Sequence, residues 1–223
     1  MSLTINKLTL SEQIYRILRE DILNQEIKCG EKLTLKALKE RFNVSHTPIR
    51  EALTRLVEDN LVTYYSNVGV TVVTLNENDI KEIFQFNGDL DCLALQYAMN
   101  SPKKLEFLAK LNLIIQDSED ALASGDMAKW RDYSDDFHLI FYTYANNSRL
   151  EIAAKKLRAQ TTLLYNLYQF ESQNALHIQE DHAAINTALQ NGNIDTAKSL
   201  FKAHLDKDMT LALNVSAKLN GKQ

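Results

Sequence analysis

The sequence predicts a mainly α-helical protein with one small β-hairpin near its N-terminus, and three observations support this fold class. The 223 residues are 45% hydrophobic and 24% charged, a globular composition that excludes a collagen, a coiled-coil fibre or a disordered tail. The chain has only 6 glycines and 2 prolines, whereas an all-β protein of this size needs many turns and therefore many of both. Apolar residues recur at helical spacing along most of the chain.

The cellular context is inferred from signals that the sequence lacks. The segment from Met1 to Leu10 has no cluster of positive charge followed by an apolar core, so we expect no secretory signal. No apolar run approaches the roughly 18 residues that a membrane span needs. Cys29 and Cys92 are far apart and form no CxxC pattern, which argues against a disulfide framework. We therefore expect a cytoplasmic protein with two structural thiols and no membrane association.

Charge is distributed unevenly along the chain. The formal net charge is −4, which taken alone argues against a nucleic-acid-binding protein. Residues 32–55, however, contain six basic and two acidic residues, whereas the chain as a whole is acidic. A local basic island is typical of an attached binding module, because attraction to phosphate depends on the face presented and not on the total charge.

Residues 1–75 predict three helices and a hairpin. Leu10–Asn24 has apolar residues at helical spacing, and Thr34 can cap a second helix. A third helix follows a short turn and has Pro48 in its first turn, where backbone N–H groups lack helical partners anyway. Residues 61–73 then form two β-rich runs around a turn. Three helices followed by a β-hairpin are the outline of a winged helix-turn-helix.

Beyond a linker at residues 74–78, the sequence predicts only helices. Turn signals such as Ser124-Gly125 and Asn191-Gly192 separate the helical patterns. The predicted helices lie near 79–99, 102–124, 127–146, 149–171, 178–190 and 193–215. We therefore predict a second domain over residues 79–219 that is an all-α helical bundle.

The third helix carries polar side chains where a DNA-reading helix needs them. A helix that enters the major groove, which is about 12 Å wide, presents donors to bases and phosphates at its N-terminal end. Arg50 lies at that end and can make a bidentate contact, and Lys36 on the preceding helix can hold a phosphate. The candidate DNA contacts are Lys36, Ser45, His46, Thr47 and Arg50 on the helices, with Asn67 and Gly69 at the tip of the wing.

The stretch Val44–Leu53, V-S-H-T-P-I-R-E-A-L, resembles the recognition-helix signature V-S-R-T-P-V-R-E-A-L of the GntR family of bacterial transcription regulators. Gly30–Leu33 looks like the family's P-G-x-x-L turn, and Asn67–Val70 looks like its wing. The resemblance covers residues 10–75. It implies DNA contacts at Lys36, His46, Thr47, Arg50 and Gly69. His46 stands where the family usually has Arg, so we expect a different base preference or a lower affinity there, because histidine has less reach and little charge near pH 7.

Three histidines lie on the apolar faces of separate predicted helices, at positions 138, 182 and 204. His182 precedes the turn at Gly192 by 10 residues and His204 follows it by 12, so on antiparallel helices rising about 1.5 Å per residue they are almost level. A buried histidine is often a core residue whose hydrogen bonds are satisfied. Imidazole nitrogens also suit Zn, Ni, Cu or Fe, so a divalent transition metal, with Zn or Ni preferred, is the alternative.

The helical part resembles the FCD ligand-binding domain of the FadR subgroup. Phe137-His138, followed by residues 144–150, looks like the pattern D-x-x-F-H followed by A-x-N-x-x-L. Metal-binding FCD domains use three histidines and an Asp four residues before the first. The resemblance implies His138, His182 and His204 as metal ligands. Ser134 occupies the position of the Asp, and Asp135 on a neighbouring helical face could substitute.

The same resemblance implies an effector pocket. FCD domains commonly carry R-x-x-L-E early in the domain, and residues 87–91 here are N-G-D-L-D. Arg is therefore replaced by Asn87, and we expect an effector that is different or less charged. The candidate effector contacts are Asn87, Asp91, Ser134 and Arg158.

Three functions remain open at this point. The first is a transcription regulator that binds a pseudo-palindromic double-stranded DNA operator as a homodimer and responds to a small-molecule effector, an organic acid. The second is a metal-dependent hydrolase or another enzyme that uses the three histidines, although no nucleophile motif or paired general base is evident. The third is a regulator without metal, whose histidines satisfy each other or bind the effector directly. We expect the first function and no enzymatic activity.

Overall fold

The computed structural model describes residues 8–65, 69–168 and 172–220, and these residues are mainly α-helical, as the sequence predicts. The elements within them are α1 (Leu10–Leu23), β1 (Lys32–Leu33), α2 (Leu35–Phe42), α3 (His46–Glu58), β2 (Val62–Tyr65), β3 (Gly69–Val72), α4 (Glu77–Met99), α5 (Lys104–Ser124), α6 (Met127–Tyr144), α7 (Ser148–Tyr168), α8 (Ser172–Gln190) and α9 (Ile194–Asn220). In the described part of the chain, no helix has the length and apolar character that crossing a bilayer requires.

The first unit contains the described part of Met1–Asn76, and its first two helices, α1 and α2, begin at hydroxyl caps. The Thr9 hydroxyl accepts a hydrogen bond from the backbone N–H of Glu12 at 3.2 Å, and Thr34 caps α2 through Ala37 at 3.2 Å, as predicted. Behind these ends the three helices share one apolar core. Its buried residues include Ile14, Leu18, Ile22, Leu38, Ile49, Leu53 and Leu56.

The predicted hairpin is part of a three-stranded antiparallel sheet with strand order β1-β3-β2. In the hairpin Val62 pairs with Val72 and Tyr65 pairs with Gly69. Gly69 has φ +105°, a conformation that side chains with a Cβ rarely adopt. No sequence pattern predicts β1, because two residues are too few to show the alternation that marks a strand.

A segment of α7, Lys155–Leu167, packs in the first unit, although its sequence position placed it in the helical domain. Ala159 and Leu163 are 1% and 0% exposed and belong to the same apolar core as α1 and α3. The Gln160 side-chain amide donates to the carbonyl of Asn60 at 3.3 Å, and Asn166 donates to the carbonyl of Leu23 at 3.0 Å. The core of the first unit is therefore built from two separate stretches of sequence.

The second unit contains Glu77–Ala154 and the described part of Tyr168–Gln223. In it α4 packs against α6 and α9, and α8 packs against α5 and α9. Four fully buried phenylalanines fill the interior: Phe107, Phe137, Phe141 and Phe201. The ring centroids of the contacting pairs lie 5.3 to 5.8 Å apart. Helix α8 begins before its predicted start at residue 178, because Ala175 is already buried in a side cluster with Trp130. The packing turns one face each of α6, α8 and α9 toward this interior.

Candidate functional site

The N-terminal end of α3 presents the predicted DNA contacts to solvent. Ser45 is the N-cap residue, and Ser45, His46, Thr47 and Arg50 are all exposed, whereas Ile49 is fully buried. The Ser45 hydroxyl makes no capping hydrogen bond to α3. The first backbone N–H groups of α3 are thus left without a side-chain cap, which favours an anion such as a phosphate at that end.

The other predicted DNA contacts lie on α2 and in the predicted hairpin. Lys36 is exposed on α2, and Gly69 begins β3. Asn67 lies outside the described residues. Two further cations of the basic island, by contrast, bond within the unit: Arg41 lies 2.7 Å from Asp21, and Arg55 bonds to Glu12.

The three histidines meet inside the second unit. His138 on α6, His182 on α8 and His204 on α9 are 7%, 1% and 1% exposed. Each offers one ring nitrogen, and these nitrogens lie within 4.8 Å of one another. The Nε2 atoms of His182 and His204 are 3.3 Å apart, which agrees with their level positions predicted from the turn at Gly192. Three imidazole donors from three helices therefore converge on one buried point.

Burial keeps the central imidazole neutral. The pKa of His182 is held well below its ordinary value of 6.5, first because burial disfavours the charged ring and then because His204 and His138 add positive charge nearby. A neutral imidazole is the form that binds a metal ion. At pH 7 His182 therefore has a lone pair to offer.

A buried carboxylate orients His138. Asp91 on α4 is 0% exposed, and its Oδ2 lies 3.1 Å from His138 Nδ1. The hydroxyl of Tyr142 donates to the other carboxylate oxygen of Asp91. When Nδ1 carries the proton donated to Asp91, the lone pair of His138 is on Nε2. Asp91 was predicted as an effector contact, and in the structure it pairs with a histidine; the effector contact stays a prediction.

His204 lies between two carboxylates. Its Nδ1 is 3.4 Å from Asp181 Oδ2, and its Nε2 is 3.6 Å from Asp208 Oδ2. Asp181 also bonds to Lys207 at 2.7 Å. Burial raises the pKa of Asp181, but His204 and Lys207 outweigh it and leave that pKa below its usual range. Although Asp181 is near, His204 Nδ1 is buried without a well-directed hydrogen bond in the described structure.

The remaining predicted metal and effector residues lie on α4, α6 and α7. Asp135 is exposed on α6 and is not among the three residues whose ligand atoms converge, and its role as the carboxylate ligand stays a prediction. Ser134 is half-buried on the same helix, and Asn87 is buried at 4% one turn before Asp91. Arg158 belongs to the α7 segment that is assigned to the first unit, and its effector contact stays a prediction.

Sequence reasoning missed Asp208 altogether. It follows His204 by four residues, the spacing that puts two side chains on one face of a helix, and this signal could have identified it. An open polar cleft of about 550 Å³ lies elsewhere in the second unit and contains none of the predicted site residues. It is lined by Gln96, Asn100, Gly192, Asn193, Ile194, Asp195, Thr196 and Lys198.

Comparison with protein families matches two parts of the chain. Residues 10–72 match bacterial regulatory proteins of the gntR family, and residues 82–207 match the FCD domain, which alone accounts for more than half of the chain. The HTH-type transcriptional regulator YdhC of Bacillus subtilis is 25% identical over 197 residues, which is 88% of each chain. The HTH-type transcriptional repressor RspR of Escherichia coli is 24% identical over 199 residues, 89% of this chain and 86% of its own.

Solved structures show the same fold. McbR/YncC of E. coli aligns with a TM-score of 0.74 at 22% identity and covers 93% of this chain and 99% of its own. A GntR transcriptional regulator of Rhodococcus sp. RHA1 aligns with a TM-score of 0.74 at 20% identity, covering 92% of this chain and 97% of its own. At these identities the likeness shows the fold and not the ligand.

Proposed function

The chain is a transcription regulator of the gntR family with an FCD domain, and we propose that its DNA binding responds to an effector through a divalent metal ion held by His138, His182 and His204. The convergence of three buried imidazole nitrogens is the observation that carries this proposal. The matched families and the relatives are transcription regulators, so the alternative of a metal-dependent hydrolase is not supported.

The donor set fits a transition metal. Two nitrogen ligands of a tetrahedral zinc ion, each about 2.0–2.1 Å from the metal, lie roughly 3.3 Å from each other. The Nε2 atoms of His182 and His204 have this separation, 3.3 Å. Neutral imidazoles suit Zn or Ni, and the pKa of His182 keeps that ring neutral. A bound cation would supply positive charge for a carboxylate group of an organic acid, taken up as a further ligand beyond those of the protein.

The chain's own residues prepare the site for such an ion. Asp91 holds His138 by its Nδ1 and is itself held by Tyr142, so the ring is fixed before a ligand arrives. The burial of all three histidines excludes water, which strengthens the attraction between a cation and an anionic effector. Asn87 lies one turn before Asp91 and remains our candidate for an effector contact.

We assign residues 1–75 to operator recognition and residues 79–219 to effector binding and dimerisation. We propose that the protein acts as a homodimer in the cytoplasm. Each α3 would enter the major groove of one half-site of a double-stranded operator. The contacts are Lys36, Ser45, His46, Thr47 and Arg50, with Asn67 and Gly69 from the wing. Exposure of the α3 side chains and the missing side-chain cap support this assignment. A coupling of 1–3 kcal/mol between effector and operator binding is typical and changes occupancy about 5- to 150-fold.

Metal content tests the proposal. The full chain purified without chelator is expected to hold about one divalent transition metal ion per chain, and His182→Ala is expected to lose it. His177→Ala is the matched control, because His177 lies on the same helix, is exposed and pairs with Glu180 one turn away. A parent protein that holds no metal and takes up neither zinc nor nickel would instead favour a regulator whose histidines bind the effector directly.

A further inference from the structure

Asp208 is a buried carboxylate that faces the histidine cluster from α9. It is 2% exposed, and its Oδ2 lies 3.6 Å from His204 Nε2. The same nitrogen lies 3.3 Å from His182 Nε2. A carboxylate oxygen and a second imidazole nitrogen thus meet at one nitrogen of His204. This is the side of the ring on which a shared cation would lie.

The two sides of the His204 ring have different neighbours. On the Nδ1 side is Asp181, which is paired with Lys207 and is 21% exposed. A proton on Nδ1 facing Asp181 leaves the lone pair on Nε2, toward His182 and Asp208. On a helix, residues four apart lie on one face, so His204 and Asp208 have the spacing that pairs of ligands on metal-binding helices use.

The other carboxylates near the histidines are less suited to bind a cation there. Asp91 already accepts from His138 Nδ1 and from the Tyr142 hydroxyl. Asp135 is exposed, and Ser134 has no carboxylate.

We propose that Asp208 is the carboxylate ligand that completes the site of His138, His182 and His204. The proposal rests on the metal site described under the proposed function and names the fourth side chain of that site. The carboxylate comes from the last helix, one turn after a histidine ligand. It supplies the carboxylate that Ser134 cannot supply. The site then has three imidazoles and one carboxylate, which come from α6, α8 and α9.

Cobalt substitution tests this assignment in the full chain. Titration of metal-free protein with Co²⁺ is followed by visible absorption, whose bands report the ligands of the ion. Asp208→Asn is expected to lower Co²⁺ affinity by at least about 100-fold, the upper end of the loss caused by removing a partner that lies outside the coordination sphere. It should also change the shape of the absorption bands. Asp135→Asn is the matched control and should behave as the parent does.

A thiolate at the same position makes the test direct. Asp208→Cys is expected to bind Co²⁺ and to show a new near-ultraviolet band from sulfur-to-cobalt charge transfer, which arises only when sulfur coordinates the ion. Asp135→Cys should show none. Circular dichroism of the metal-free variants checks that they fold.

The outcomes separate the two proposals. If the parent binds Co²⁺ and both Asp208 variants keep its affinity and its bands, Asp208 is not a ligand, whereas the metal site stands. If the parent binds no Co²⁺, the metal site and this ligand assignment are both overturned.

Discussion

The ring of Phe137 stacks on the imidazole of His182, with ring centroids 3.8 Å apart and planes inclined by 14°. One face of the imidazole is thereby covered by an aromatic ring, so polar partners cannot approach from that side. Because Phe137 immediately precedes His138, one turn of α6 both supplies a candidate metal ligand and restrains another.

Loss of this stack is expected to loosen the site. Phe137→Leu should lower the free energy of unfolding by about 1 kcal/mol through lost ring contact and should weaken zinc binding, because His182 can then rotate. Chemical denaturation and zinc titration measure the two effects. Phe86→Leu is the control, since Phe86 is 54% exposed on α4. Equal zinc affinity in parent and Phe137→Leu would show that the stack does not restrain His182.

Removal of the Asp91 carboxylate is expected to weaken metal binding without changing the ligands. Asp91→Asn should lower Co²⁺ affinity about 10- to 100-fold, because His138 loses the acceptor that fixes its ring, while the visible bands stay as in the parent. Tyr142→Phe removes one donor from the same carboxylate and should have a smaller effect. Bands that change in Asp91→Asn would identify Asp91 as a ligand itself.

Arg50 is expected to be required for specific DNA binding. Arg50→Ala should weaken binding to an operator selected from random duplexes by about 1–3 kcal/mol, the cost of a lost bidentate base contact, while the fold is unchanged because the side chain is exposed. Footprinting and gel-shift titration at fixed salt measure this. Arg16→Ala, an exposed change on α1, is the control. A footprint equal to that of the parent would exclude α3 docking through Arg50.

Because the pKa of Tyr15 is raised, we expect the folded protein to lose stability at alkaline pH. Burial and the hydrogen bond to Asp59 raise the pKa of Tyr15 to about 12 from its ordinary 10. Because the folded state keeps the proton longer than the unfolded state, this contribution is intact below pH 10 and is lost as the pH rises toward 12. Urea denaturation from pH 9 to pH 12 should therefore show a steeper decline for the parent than for Tyr15→Phe. Tyr64→Phe, at an exposed position, should follow the parent.

The α7 segment is expected to stabilise the first unit. Leu163→Ala should destabilise that unit by about 2–5 kcal/mol, because Leu163 is 0% exposed in its core. Hydrogen exchange of the α1 and α3 amides measures the opening of the unit. Ile152→Ala on the same helix is the control, since Ile152 is 59% exposed. Unchanged exchange in Leu163→Ala would show that the segment is not needed for that core.

Local features of the fold were predictable from sequence because they depend on neighbouring residues. The cap at Thr34 and the turn around Gly192 follow from side-chain and backbone chemistry within a few positions. The meeting of His182 and His204 was also predictable, since a tight turn between two helices fixes their register.

Contacts between distant stretches were not predictable in this way. Asp91 and His138 are separated by 47 positions, and Asn166 meets Leu23 across 143. No periodicity within a helix reports which other helix will lie beside it. The family pattern directed attention to residues before His138, whereas the buried carboxylate Asp208 lies after His204.

The two-part core of the first unit sets a limit on how this protein can be recombined with its relatives. A chimera joined at residue 76 would keep its DNA-reading helices but receive a foreign α7 in place of Ala159, Leu163 and the amides of Gln160 and Asn166. The graft would then have to match a surface shaped for this chain's own helix. Exchange of operator specificity between such regulators is therefore expected to succeed through single residues of α3 more readily than through whole-module transplantation.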